Sequence, residues 1–147
     1  WSQVRATLVK SARFPDPDQD QGQHQWNFRI VPDASVLEAV AAGQQINLGE
    51  REVSGAPVDA PFSVSGAVVE SVALAPDRSG DLVIRLYEAE GGPSRVTFRT
   101  PKAGSVTACD LRYRPSESEP ELCGGQGEWS FDLSAFQITT LRVSFAK

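Results

Sequence analysis

The sequence has 147 residues, 40% of them hydrophobic and 22% charged, enough to bury one good core or two small ones. A formal net charge of −5 without clustered Lys and Arg excludes a nucleic-acid surface, which needs such clusters to displace counterions from phosphates. No apolar run approaches the roughly 18 residues of a membrane span and no segment reads as a signal peptide, so a soluble chain, cytoplasmic or secreted, is predicted, with no membrane partner.

Taken in chain order, Val4 to Val9 is β-branched and partly alternating, and from Gln25 to Val31 the apolar residues Trp26, Phe28 and Ile30 recur at every second position. Both patterns predict strands. Between them, Arg13 to Gly22 is a polar loop rich in Pro, Asp and Gln. Ser35 stands three residues before Glu38, the spacing of a capping box, and Val36, Leu37, Val40 and Ala41 form an apolar stripe behind it. A short helix near residues 35–45 follows, with Gly43 expected to end or weaken it, and then a loop containing Pro57 and Pro61.

Beyond Pro61 the pattern is a meander, with strands near Ala67 to Leu74, Asp81 to Glu88, Arg95 to Arg99, Val106 to Arg112, Trp129 to Leu133 and Ile138 to Phe145. The intervening Gly, Pro and Asp clusters are turn chemistry, because Gly admits positive φ and Pro fixes φ in advance. Short strands at this spacing predict an all-β fold, an antiparallel β-sandwich with one short helix. A boundary near residues 54–62 divides the chain into 1–60, the end segment of a larger sandwich domain carrying the helix, and 61–147, a small sandwich, the two able to pack as one unit. The sequence begins at Trp1 and has no Met, which predicts a processed chain or an excised piece.

Cys109 and Cys123 flank a polar segment with Pro115, Pro120 and the Gly124-Gly125 pair. Their spacing fits a disulfide that constrains the unfolded chain by about 3 kcal/mol, and equally fits two free thiols. The segment Asp16 to His24 places acids at Asp16, Asp18 and Asp20, then Gly22 and the single His24. Alternate acids suggest calcium, but an EF-type loop counted from Asp16 would have Gln21 in place of its glycine and Asn27 in place of its bidentate carboxylate. A solvated acidic loop is the simpler reading, and one His among hard oxygens is a poor transition-metal set, so no metal site is expected. No G-x-S-x-G elbow occurs, and no acid and nucleophile pair stands out, so no catalytic residue is assigned. Trp26 and Trp129 are candidates for sugar stacking, as is Trp1, although aromatics in alternating strands usually face a core. Arg85 and Glu88, in the run Leu82 to Glu88, read as strand-surface ion-pair residues.

Three of these stretches, in order, carry a resemblance. Leu8 to Pro17, continuing through Asp20, Gly22 and His24, resembles the LLRSPRYPDPxADxGxHxFxYAL segment of glycoside hydrolase family 38 α-mannosidases. Leu82 to Glu88 is similar to that family's LVLRLYE strand, and Asp132 to Val143 to its closing ELRPFEIKTLRL, with Phe136, Ile138 and Leu141 at the apolar positions. The resemblance implies a zinc-dependent, retaining enzyme whose barrel-like N-terminal domain holds zinc through His and Asp, followed by a helical bundle and β-sandwiches. It further implies that this chain is a non-catalytic C-terminal part, with no cofactor of its own. Its partners would be the N-terminal catalytic and helical domains and a mannose-containing glycan. The loop residues Asp16, Asp18, Asp20, Gly22 and His24 would then approach the substrate cleft in a supporting role. A free-standing carbohydrate-binding sandwich is the alternative, and a calcium-stabilised module a third reading.

Overall fold

The computed structural model describes residues 3–49, 52, 54–56, 59–116 and 119–145. Helix α1 (Val36–Asn47) precedes eight strands: β1 (Ser63–Ser65), β2 (Val68–Leu74), β3 (Leu82–Tyr87), β4 (Ser94–Arg99), β5 (Ala103–Cys109), β6 (Cys123–Gly125), β7 (Glu128–Leu133) and β8 (Ile138–Phe145). They form two four-stranded sheets, ordered β1-β4-β7-β6 and β2-β3-β8-β5, with every pairing antiparallel. This is the all-β sandwich with one short helix that the patterning predicts. No helix among the described residues is long and apolar enough to cross a membrane.

Alternation builds the core. Ile84 and Leu86 of β3 and Leu141 and Val143 of β8 face Val96 and Phe98 of β4 and Phe131 and Leu133 of β7, and all eight are buried. The Phe62 ring stacks on Phe98 with centroids 5.5 Å apart and closes the layer beside β1. Burying each large apolar side chain of this set stabilises the fold by about 1.5–3 kcal/mol. The chain leaves one sheet for the other between β1 and β2 at Gly66, where φ is 81° and a Cβ would collide with the Arg95 carbonyl. The Ser94 hydroxyl donates to the Gly66 carbonyl at 2.5 Å and fixes the crossing.

Two charged groups tie loops to this frame. Arg142 of β8 donates from Nε to Asp81 and from Nη2 to Asp77, each at 2.6 Å, and so clamps the β2–β3 turn. Hydrogen bonds from Ser79 and then from Arg142 hold the Asp77 carboxyl down at about 2. Glu88, just past β3, is buried. Its carboxylate accepts from the amides of Glu90 at 2.5 Å, Gly91 at 2.8 Å and Phe136 at 2.9 Å, while its own amide donates to the Gln137 carbonyl at 3.0 Å. The β3–β4 and β7–β8 turns are thereby joined through one side chain. Arg85 pairs instead with Glu70, at 3.8 Å, so the expected surface ion pair forms without Glu88.

Several expectations are corrected. Val4 to Val9 and Gln25 to Val31 are not strands: they carry the period, but no neighbouring strand among the described residues takes up their N–H and C=O groups, and a lone extended segment in water gains nothing from the pattern. The helix runs through Gly43 to Asn47, and the Leu48 amide closes it on the Gln44 carbonyl at 2.8 Å. The fifth strand stops at Cys109 rather than Arg112, because Asp110 accepts from the amides of Arg112 and Arg114 and turns the chain. Strands β1 and β6 were not anticipated; each has three residues, and a three-residue strand has too little sequence to show a period. Pro57 lies outside the described residues.

Candidate functional site

The loop from Arg13 to His24 is built from local hydrogen bonds rather than from packing. Asp16 Oδ1 accepts from the Asp18 amide at 3.0 Å, and the Gln19 amide donates to the Asp16 carbonyl at 3.3 Å, a turn of the kind short acidic side chains favour. Gln21 Nε2 donates to the Pro17 carbonyl at 2.9 Å, and Asp20 Oδ2 accepts from the Lys10 amide at 3.4 Å. Ser11 Oγ donates to the Gln19 carbonyl at 3.2 Å, so the loop is tied back across its own neck. Asp20 takes φ of 58° and Gly22 φ of 124°, which curl the chain towards His24. Apart from the half-buried Gln19, every residue of the loop is exposed.

His24 and Asp20 meet directly. The imidazole Nε2 donates to the Asp20 carbonyl at 2.9 Å, which sets the tautomer, and the ring stacks on Trp26 with centroids 5.3 Å apart. The structure therefore brings Asp20, His24 and Trp26 together on one exposed surface, with Asp16 and Asp18 in the adjoining turn. A loop of this kind offers carboxylate and imidazole edges beside an aromatic face, the elements of polar and stacking contact with a sugar.

The other sequence candidates separate. Trp129 is buried in β7 within the core, so it has no face to offer a ligand. Trp1 lies outside the described residues. Both cysteines are free thiols: Cys109 is buried at the end of β5 in one sheet, and Cys123 is exposed in β6 of the other. Burial pushes the Cys109 thiol up from its ordinary value. Among the described residues no group of three or more His, Cys, Asp or Glu could hold a metal ion. Asp16 and Asp20 accept from the backbone amides of Asp18 and Lys10, and Asp18 Oδ1 accepts from the Gln21 side-chain amide at 3.4 Å. Sequence reasoning missed the clamp by Arg142 and the amide-binding role of Glu88. The first had a signal in the acid-rich PDRSGD turn, the second none, because strand alternation says nothing of what lies beyond the strand's end.

The family model for the glycosyl hydrolases family 38 C-terminal beta sandwich domain matches residues 66–141, from the β1–β2 crossing into β8 and slightly more than half the chain. The chain belongs to this family. No match was found among curated proteins. The matched stretch includes Glu88 and the whole of β2 to β7 and ends one residue before Arg142, so the turns joined by Glu88 belong to the family 38 sandwich itself. The loop at Asp16 to His24 and helix α1 precede the match. As a C-terminal sandwich of family 38, the domain belongs with other domains of a glycoside hydrolase.

Proposed function

We propose that this chain is the non-catalytic C-terminal accessory part of an α-mannosidase-type family 38 enzyme, stabilising the enzyme and presenting the Asp16 to His24 loop at the sugar cleft. The observation that carries the reading is the family match together with an exposed, internally hydrogen-bonded polar loop outside it. In this reading the preceding domains supply the zinc and the carboxylates of a retaining mechanism, and the substrate is a mannose-containing glycan. Residues 1–60 complete a sheet of a preceding sandwich, which gives the alternating stretches Val4 to Val9 and Gln25 to Val31 the neighbours they lack here. A rigid scaffold presenting a polar loop is a common way to place binding groups.

The test uses the full-length enzyme. Asp18→Ala, Asp20→Ala and His24→Ala are expected to lower kcat/KM by more than tenfold in at least one case, about 1.4 kcal/mol of transition-state stabilisation. Unchanged activity in all three removes the loop from the cleft. The present chain, incubated with an aryl α-mannoside and zinc, is expected to give no turnover; turnover abolished by a substitution within it would end the accessory reading.

A further inference from the structure

The turn between β7 and β8 holds a bulky side chain in a backbone conformation that suits glycine or asparagine. Phe136 has φ of 58° at the third position of a turn closed by the Gln137 amide on the Ser134 carbonyl at 3.0 Å. For an aromatic residue that region is strained. The strain is held in place from outside the turn: the buried Glu88 carboxylate accepts the Phe136 amide, the Glu88 amide donates to Gln137, and the Gln137 side chain accepts from the Ser134 amide at 2.8 Å. An over-determined strained residue usually serves something other than the local fold.

That service is not core packing. Phe136 is 71% exposed, and Ile138, on the face of β8 opposite to Leu141 and Val143, is 53% exposed. The Phe136 ring lies over Gly91, so close that a Cβ at Gly91 would fall 2.7 Å from its Cζ. The ring is therefore fixed in direction and pointed outward. Ile138 pairs across the sheet with Tyr87, and Tyr87 with Val68, which lines the groove beneath Leu37, Val40 and Ala41 of α1. One row thus connects the tip to the helix, itself without a fully buried residue.

We infer that Phe136, with Ile138 beside it, is an anchor that inserts into an apolar pocket on the domains preceding this one in the same enzyme. The inference rests on the accessory reading, since a C-terminal family 38 sandwich has those domains as its neighbours. Exposed aromatics rigidly presented at low entropic cost are the usual centres of such contacts.

Hydroxyl-radical footprinting of the full-length enzyme and of the present chain tests it, together with Phe136→Gly and Phe136→Asn, which both relieve the positive φ. Phe136 and Ile138 are expected to be several-fold less reactive in the full-length enzyme, while Leu111, exposed on another loop, changes little. Both variants are expected to leave the Tm of the present chain unchanged or raised, and to lower that of the full-length enzyme by about 2 °C or more. Phe136 equally reactive in both proteins, with Val4, Phe28 or Ile30 protected, would overturn the anchor and keep the accessory reading. No protection anywhere would overturn both. Protection of Phe136 in the present chain that grows with its concentration would make the tip a self-contact, and unfolding of the chain by both variants would make Phe136 structural; either result ends the proposal.

Discussion

Strand β7 and the stretch Gln25 to Val31 carry the same period-two alternation of apolar residues, and they end in opposite states. In β7, Trp129, Phe131 and Leu133 are buried, with β4 on one side and β6 on the other taking up the backbone groups. In the earlier stretch Phe28 is 64% and Ile30 89% exposed, and no strand among the described residues lies alongside. The alternation selects which face a strand would bury, but a strand also needs partners for its amides and carbonyls and an opposing layer for its face. The sandwich supplies both from within residues 63–145. Among the described residues the N-terminal region supplies neither, and its order comes from side chain to backbone hydrogen bonds in the loop and from bonds to α1 such as that from Arg29 Nη1 to Gln45 Oε1 at 2.8 Å.

The comparison is broken most forcefully by removing equivalent aromatics from the two regions. Phe98→Ala deletes a fully buried ring from the centre of the core and is expected to cost about 3–5 kcal/mol. Phe28→Ala removes a ring of the same size from the exposed stretch and is expected to change stability by less than about 0.5 kcal/mol. Denaturant unfolding of the present chain measures both. A Phe28 variant as costly as the Phe98 variant would show that the N-terminal region has a core of its own.

A smaller effect sharpens the role of the joined turns. The Phe136 amide, above all, holds the Glu88 carboxyl below its ordinary value against the opposing effect of burial, and the amides of Glu90, Gly91 and Gly92 add to it. A carboxyl with a depressed folded value contributes stability that is complete above its unfolded value, about 4.5, and is lost as pH falls through the folded one. Asp77, held at about 2, extends the same loss further into acid. Glu88→Gln is therefore expected to lower the Tm of the sandwich by about 5 °C or more at pH 7, and by clearly less at pH 3, where the parent has begun to lose the same interaction. An equal gap at both pH values would show that the carboxylate charge is not what joins the turns.

Much of the sandwich was legible because β4 and β7 alternate, β2, β3 and β8 are rich in β-branched and apolar residues, and Gly- and Pro-bearing turns separate them. Ser35 and Glu38 likewise announced the start of α1, where the Ser35 hydroxyl accepts from the Glu38 amide at 3.2 Å and the Glu38 carboxylate accepts from the Ser35 amide at 2.8 Å. Phe136 and Ile138 were legible only as apolar positions, since the pattern does not record the positive φ at Phe136 or the exposure of its ring. Trp129 could be placed in the core from its strand, whereas the meeting of His24 with Asp20 and Trp26 depends on a loop path that no periodicity encodes. The partners of Glu88 were illegible for the same reason, since backbone amides contributed by a distant turn leave no trace in residue type.

The smallest expected effect concerns the loop from Asp16 to His24 within the present chain. Its bonds are local: Asp16 to Asp18, Gln21 to Pro17, His24 to Asp20, with Asp20 reaching only as far as Lys10. None of these partners belongs to the sandwich, and exposed polar contacts of this type contribute little to a fold in which water competes for every group. Combining Asp18→Ala, Asp20→Ala and His24→Ala in one variant is therefore expected to move the Tm of the present chain by no more than about 1–2 °C, even though the loop itself loosens. Loosening would show as a changed environment for Trp26, whose ring loses the stacked imidazole, so tryptophan fluorescence should shift while the unfolding transition stays in place. A combined variant that unfolds the chain would mean that the loop supports the sandwich, and its exposed acids and imidazole would then have a structural reason to be there.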